Sequence, residues 1–268
     1  ALRTCDRQTL KTFGMNVGYE GCSKGARRIR EVEAAGGFNV PWALTIQAGA
    51  QGLSRIYIQR MVTEGTDLGI HVYLLQDNQL EQEALEQLLQ DNPACAFTIL
   101  TTGARGADWN LSSLSRFHNL LFSVDARQPL ALELCRALEE ARMPCAVHLG
   151  YSDQAASELP AQLEQVRSLG SLVVLLYADG AGPETRHAVY RRVVEARTAR
   201  TYPFGLMELT EDLLAIDRII SDDPCSLAFL ADGRAMTAAG PAPVNIRTAT
   251  LTPVSYTHLR AHETVLDL

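Results

Sequence analysis

Strand-length apolar runs alternate with amphipathic helical segments along most of this chain. Six such runs are predicted as strands: Phe38–Gln47, Ile70–Gln76, Cys95–Thr101, Leu120–Asp125, Cys145–Leu149 and Leu172–Tyr177. Between them, apolar residues recur at helical spacing, as in Leu80–Gln90 and Leu130–Arg142. Strands that alternate with helices through short links form parallel βαβ units. The sequence therefore predicts an α/β fold with a parallel sheet.

The pattern changes towards the C-terminus. A helix is predicted over Leu209–Ile220, with Thr210 as its cap. A β-hairpin is then predicted over Cys225–Thr237, because two apolar strands flank the turn residues Asp232 and Gly233. Before the first strand, the sequence predicts a helix that ends at a glycine pair (Arg27–Ala35, then Gly36-Gly37).

Composition excludes several classes of partner. The formal net charge is -7 and the few basic clusters have glutamates nearby, which disfavours binding to nucleic acid. No apolar run reaches the roughly 20 residues needed to cross a bilayer, so we expect no membrane partner. The six cysteines form no CxxC or CxxxC spacing. Cys95, Cys135 and Cys145 lie in apolar runs and are predicted to be reduced core residues, as in a cytoplasmic protein.

The C-terminal tail has a different origin in our interpretation. Residues 254–264 resemble the translation of a sequencing adapter in one reading frame, which makes 254–268 an artefactual tail. The alternative is a genuine amphipathic C-terminal helix. In the adapter interpretation, the HxxxH spacing of His258 and His262 is not a metal site.

Residues at the predicted strand ends resemble those of a known family. Thr101-Thr102-Gly103 and Ser123-Val124-Asp125 resemble the Thr-Asn-Gly and Ser-Leu-Asp that end the third and fourth strands of radical S-adenosylmethionine (SAM) barrels. The hairpin after Cys225, with Val244–Leu251, resembles the SPASM or twitch appendage of peptide-modifying members. The resemblance covers roughly residues 38–251 and implies a partial (β/α)6 TIM-type barrel with a C-terminal β-hairpin appendage.

The family's cofactor motifs are missing from the matching positions. A CxxxCxxC motif after the first strand holds a [4Fe-4S] cluster in the family. Here that segment, Ala48–Ser54, has no cysteine, and Gln76–Gln79 replaces the Gly-Gly-Glu-Pro that contacts SAM. We therefore expect no cofactor. Cys225 is the appendage's single cysteine and only a weak metal candidate.

The resemblance implies a pseudo-radical-SAM protein of a ribosomal-peptide maturation system, which binds a peptide substrate or a partner maturase without catalysis. One alternative is an active radical SAM enzyme, with [4Fe-4S] and SAM, whose motif lies in missing upstream sequence. A second alternative is an unrelated TIM-barrel-like enzyme that uses Asp125, His148 and Asp179.

Polar residues at the predicted strand ends are the candidate site, because sites in parallel α/β proteins gather at the carboxyl ends of strands. Asp125 is either a group at the barrel mouth or a helix cap. His148 is either an inward polar group or a hydrogen-bonded core histidine, and Gln76, Asp77 and Asn78 are either ligands or an ordinary turn. The candidates for ligand or peptide binding are Gln76, Asp77, Asn78, Thr102, Ser123, Asp125, His148, Tyr177 and Asp179.

Four segments are predicted. Residues 1–37 are a truncated N-terminal lead-in and 38–220 are the barrel. Residues 221–253 are the remnant of the appendage, and 254–268 are the artefactual tail.

Overall fold

The computed structural model describes residues 4–221, 225–237 and 240–251. The tail at 254–268, and with it the adapter interpretation, lies outside these residues. The chain divides into two compact units. The first unit comprises Ala1–Leu10 and Leu100–Asp212, and the second comprises Lys11–Ile99 and Leu213–Leu268.

The helices alternate with strands as the apolar pattern predicts. They are α1 (Arg7–Met15), α2 (Ala26–Gly36), α3 (Arg55–Leu68), α4 (Gln82–Asp91), α5 (Gly103–Gly106), α6 (Leu111–Leu114), α7 (Ala131–Glu140), α8 (Leu159–Val166), α9 (Pro183–Ala199) and α10 (Leu209–Ile220). A π-helix, Asn16–Gly25, joins α1 to α2. No described helix combines the length and apolar character that a transmembrane segment requires.

The strands are β1 (Ala43–Ala48), β2 (Val72–Asp77), β3 (Ala96–Thr101), β4 (Leu120–Asp125), β5 (Cys145–Tyr151), β6 (Val173–Ala178), β7 (Gly205–Glu208), β8 (Leu227–Phe229), β9 (Arg234–Thr237) and β10 (Gly240–Asn245). In the first unit β4, β5, β6 and β7 follow one another as parallel neighbours. In the second unit the order is β10-β9-β8-β1-β2-β3. The predicted α/β class, with parallel strands and an appended hairpin, is confirmed.

Two boundaries differ from the prediction for local reasons. β1 begins at Ala43 rather than Phe38, because Pro41 has no N–H for a sheet hydrogen bond and the Trp42 N–H donates instead to Asp217 Oδ1 at 2.8 Å. β7 was not predicted at all, since Gly205-Leu-Met-Glu208 is short and has no β-branched residue.

The C-terminal hairpin forms as predicted, with its turn at Asp232-Gly233. Gly233 has φ +89, a conformation in which glycine is favoured. The structure adds one pairing that the sequence did not indicate, since β8 lies parallel to β1 and Leu44 is in register with Leu227. β1 is therefore flanked by β8 on one side and β2 on the other.

Candidate functional site

Five of the six candidate residues of the first unit lie near the carboxyl ends of β4, β5 and β6. Asp125 is in register with His148, and Gly150 is in register with Tyr177. Registered residues of parallel strands point to the same face of a sheet. Four sequence-predicted residues therefore share one face: Ser123, Asp125, His148 and Tyr177. Together with Arg127 and Gly150, we call them the strand-end cluster.

Arg127 lies at the centre of the strand-end cluster and is not among the residues predicted from the sequence. Its Nη1 donates to the Gly150 carbonyl oxygen at 3.2 Å, and its Nη2 donates to Tyr177 Oη at 3.1 Å. Its guanidinium also lies 3.6 Å from Asp125 Oδ1 and 3.9 Å from Asp179 Oδ2. The arginine thus connects the ends of three strands and gives the cluster both donors and acceptors.

Asp125 is buried, and besides its contact with the Arg127 guanidinium it orders the turn that follows β4. Its Oδ1 accepts the backbone N–H of Arg127 at 3.0 Å, which fixes the turn that follows β4. α7 begins only at Ala131, so the carboxylate orders the turn rather than capping the helix. Asp179, by contrast, has 62% of its side chain exposed, so it presents its carboxylate to solvent.

His148 is held as a neutral imidazole. Its Nδ1 lies 3.1 Å from Ser123 Oγ, and its ring lies 5.9 Å from the ring of Tyr177. Burial lowers the pKa of His148 to about 4, and the nearby charge of Asp125 only partly opposes this. A neutral imidazole beside a hydroxyl can donate or accept a hydrogen bond, so the cluster suits polar groups such as peptide amides.

Gly150 keeps the cluster tight. A Cβ at this position would lie 2.8 Å from Tyr177 Cζ and 3.0 Å from Arg127 Nη2. Any larger residue would have to displace the tyrosine or the arginine. The close approach of both side chains to this backbone position was not predicted.

Thr102, the remaining candidate of the first unit, is a helix cap. Its side chain accepts the Arg105 N–H at 3.3 Å at the start of the four-residue helix α5. This hydrogen bond explains a threonine here without a ligand.

The candidates at the end of β2 belong to the second unit and are held by its own loops. Asp77 Oδ1 accepts the Leu80 N–H at 2.9 Å, which is the ordinary turn that the sequence allowed as an alternative. The Gln76 and Gln47 side chains hydrogen-bond at 3.2 Å, and Gln47 Oε1 also accepts the Ala231 N–H. Asn78 contacts the preceding β1–α3 loop through its backbone.

The β1–α3 loop comprises Ala48–Ser54, the segment that the resemblance to radical SAM barrels matches with their cluster motif. It is a closed turn, in which Gly52 N–H donates to Gly49 O and Leu53 N–H donates to Gln47 O. Ala50 and Gln51 donate to the carbonyl oxygens of the turn after β2. The loop has no thiol, so its residues do not fit a [4Fe-4S] cluster. Across the described ranges, no group of three or more His, Cys, Asp or Glu side chains could hold a metal.

The cysteines are free thiols. Cys95, Cys135 and Cys145 are buried as predicted, while Cys22 is exposed. Cys225 is 2% exposed, and burial together with the charges of Asp217 and Glu33 raises the pKa of its thiol. A raised pKa disfavours the thiolate that a metal needs, so Cys225 remains a weak candidate.

A second polar network of the first unit begins at the end of β7 and was missed by sequence reasoning. Glu208 is fully buried, and its carboxylate accepts Tyr151 O–H and Glu211 N–H, both at 2.7 Å. Glu208 is thus the cap of α10, in place of the predicted Thr210. Arg186 pairs with Glu211 at 2.7 Å, and Arg197 donates twice to Asp212 Oδ1 at 2.9 Å.

We expect Tyr151→Phe to lower the free energy of unfolding by about 2 kcal/mol, because it leaves the buried Glu208 carboxyl without its hydroxyl donor. Urea denaturation followed by circular dichroism measures the change. The control is Tyr19→Phe. Tyr19 is 53% exposed, so the free energy of unfolding should change by no more than about 0.5 kcal/mol. Equal changes in the two variants would show that the Tyr151–Glu208 bond contributes nothing.

No protein-family model matches the chain, and no curated protein matches it in sequence. Solved structures match its fold. SuiB of Streptococcus suis bound to its precursor peptide SuiA has a TM-score of 0.58 at 10% identity, over 86% of this chain and 68% of that chain. SuiB bound to S-adenosylmethionine has a TM-score of 0.55 at 11% identity, over 86% of this chain and 67% of that chain. SuiB alone has a TM-score of 0.52 at 10% identity, over 78% of this chain and 63% of that chain. The chain therefore shares the fold of SuiB over most of its length.

Proposed function

We propose that this chain is a radical-SAM-like protein that binds a peptide, or a partner maturase, in ribosomal-peptide maturation without cluster chemistry. The fold similarity to SuiB, whose structures include one with a precursor peptide and one with SAM, supports the peptide-maturation context. The single observation that carries the non-catalytic part is the β1–α3 loop, which is closed by backbone hydrogen bonds and has no cysteine.

The pairing of β1 argues against a cluster motif in upstream sequence. In the family the motif follows the first strand of the barrel, so an upstream motif would need another strand before β1. Both edges of β1 are already paired, with β2 and β8. An additional strand would have to displace one of them.

The strand-end cluster supports a binding role rather than a hydrolytic one. His148 Nδ1 pairs with Ser123 Oγ, but among the described residues no carboxylate is hydrogen-bonded to the imidazole, as the base of a Ser-His-Asp triad requires. Arg127, rather than His148, connects Asp125 with Asp179. The cluster therefore offers fixed donors and acceptors suited to a peptide backbone or side chain.

Anaerobic reconstitution with iron and sulfide tests the proposal. We expect fewer than about one iron per chain and no reductive cleavage of SAM, because a [4Fe-4S] cluster needs about four irons and three thiolates from the protein. A cysteine-complete radical SAM enzyme treated in parallel is the positive control. About four irons per chain, with 5′-deoxyadenosine formed from SAM, would overturn the non-catalytic assignment and favour an active enzyme.

A further inference from the structure

Two buried thiols of the first unit are in contact. Cys135 lies on the buried face of α7, and Cys145 is the first residue of β5. Their sulfur atoms are 3.5 Å apart, and the two residues are 3% and 7% exposed. The sulfurs of a disulfide are about 2.05 Å apart, so these side chains need to approach by only about 1.5 Å to form the bond. The fold therefore keeps a disulfide partner beside each thiol.

The contact makes the two thiols chemically different. The S–H of Cys145 donates to Cys135 Sγ, and the Ala146 carbonyl oxygen lies 3.3 Å from the same donor. The hydrogen bond from Cys145 lowers the pKa of the Cys135 thiol, although burial opposes the change. The same hydrogen bond raises the pKa of Cys145, and burial adds to the effect. Cys135 is therefore the sulfur that ionises first, and the thiolate is the reactive form of cysteine.

The segment before α1 lies against the turn that leads into β5. Cys5 Sγ donates to the Met143 carbonyl oxygen at 3.6 Å, and Asp6 N–H donates to the Arg142 carbonyl oxygen at 2.8 Å. Arg142 has φ +57, a conformation that costs a non-glycine residue energy. Local opening of such a contact needs less free energy than global unfolding, so it is the expected route by which a small molecule reaches the two thiols.

We propose that Cys135 and Cys145 form a reversible disulfide on exposure to a peroxide, and that this bond joins α7 to β5 and stabilises the first unit. The proposal goes beyond the peptide-binding function and does not depend on it. β5 also carries His148 and Gly150, so the bond would fix one of the strands that build the strand-end cluster. The cysteines are ten positions apart, and a cross-link that closes such a loop stabilises the folded state.

The reaction has two steps with hydrogen peroxide as the oxidant. The Cys135 thiolate attacks one peroxide oxygen, which gives a sulfenic acid and releases hydroxide. The Cys145 sulfur then attacks the sulfenic sulfur. The S–S bond forms as the S–O bond breaks, and the oxygen leaves as water with the Cys145 proton. Two electrons thus pass from the sulfurs to the peroxide, and a dithiol reductant reverses the change.

Peptide mapping after peroxide treatment tests the proposal. The parent protein carries Cys22→Ser, because the exposed Cys22 thiol would compete for the oxidant and could link two chains. Trypsin separates the pair, since Arg136 and Arg142 lie between the two cysteines. We expect a cross-linked peptide that joins residues 128–136 to residues 143–167, a protein mass lower by two hydrogens, and recovery of both thiols with dithiothreitol.

Thermal unfolding and two variants separate the disulfide from other oxidation. The oxidised parent should unfold about 5 °C higher than the reduced parent. Cys145→Ala removes the second thiol, so peroxide should give neither the cross-link nor the rise. The matched control is Cys95→Ala, at a similarly buried cysteine of the second unit, which should form the cross-link as the parent does. If Cys145→Ala does not fold, the peptide map of the parent decides alone.

A cross-link between Cys5 and Cys145 would overturn the proposal, because Cys5 would then be the partner. So would thiols that stay reduced until urea unfolds the protein, or an oxidation of Cys135 that dithiothreitol does not reverse. The expected cross-link with an unchanged or lower thermal midpoint would overturn the stabilising effect. None of these results bears on the iron reconstitution, which tests the proposed function separately.

Discussion

Replacing Gly49 with alanine should lower the free energy of unfolding by about 4 kcal/mol, the largest effect that we expect from a single methyl group in this chain. Gly49 has φ +126, which L-residues rarely adopt. A Cβ there would also overlap the Asn78 carbonyl oxygen and lie 2.5 Å from the Leu80 nitrogen. Both obstacles are backbone atoms, which cannot move aside as a flexible side chain can.

A matched control separates the strain from the overlap. Gly37 also has a positive φ, +65, but a Cβ there would meet nothing within 4 Å. Gly37→Ala should therefore cost only about 1 kcal/mol, the contribution of the left-handed backbone. Urea denaturation of both variants measures the difference. If the two variants lose equal stability, the β1–α3 loop is not clamped against the turn after β2.

The same contact bears on the proposal that the protein acts without a cluster. Any residue with a Cβ, cysteine included, meets the carbonyl of Asn78 at position 49. The turn after β2 also accepts the N–H groups of Ala50 and Gln51. The β1–α3 loop and the turn after β2 are thus bonded to each other, which supports the proposal that the protein acts without a cluster.

The sequence predicts structural features that depend on neighbouring residues, but not those that depend on residues far away in the sequence. β4 is predicted at Leu120–Asp125 and found there, since its apolar run is uninterrupted. α10 is also predicted at its observed bounds, but its cap is wrong. Thr210 is a frequent capping residue type, whereas Glu208 caps the helix because Tyr151, far away in sequence, completes its hydrogen bonding. A local pattern cannot show such a partner.

The strand-end cluster illustrates the same limit. Positions at strand ends could be predicted, because parallel strands bring their carboxyl ends to one edge. Arg127 could not, since it lies in a loop and its contacts with Gly150 and Tyr177 depend on the register of three strands. An arginine two residues beyond Asp125 was the available signal. Charge pairs at that spacing are too common to be informative alone.

Acid should destabilise the wild-type protein relative to a His148→Gln variant by up to about 3 kcal/mol between pH 6.5 and pH 4. Burial lowers the pKa of His148 from 6.5 to about 4, so the folded state excludes a proton that the unfolded chain binds. The full stability of the neutral histidine is therefore present above pH 6.5 and is lost as the pH falls towards 4. Each unit of pKa difference corresponds to about 1.4 kcal/mol.

The comparison must be a difference between the two proteins, because another buried group titrates with the opposite sign. Burial raises the pKa of Asp217 from 3.8 to about 7, so its contribution to stability is present at low pH and lost as the pH rises through 7. Asp217 is common to both proteins and cancels in the difference. Glutamine can keep a hydrogen bond to Ser123 Oγ but binds no proton, which makes it the suitable substitution.

The groups that face His148 determine how large the difference becomes. Burial beside Tyr177 disfavours the charged imidazole most strongly, and Arg127 acts in the same direction. Asp125 favours the charged imidazole but is outweighed. Arg127→Gln should therefore raise the pKa of His148 and reduce the loss of stability in acid, which chemical denaturation at a series of pH values measures. A stability difference between wild type and His148→Gln that does not vary from pH 7 to pH 4 would show that the imidazole is solvated. The strand-end cluster would then be an open surface rather than a desolvated site.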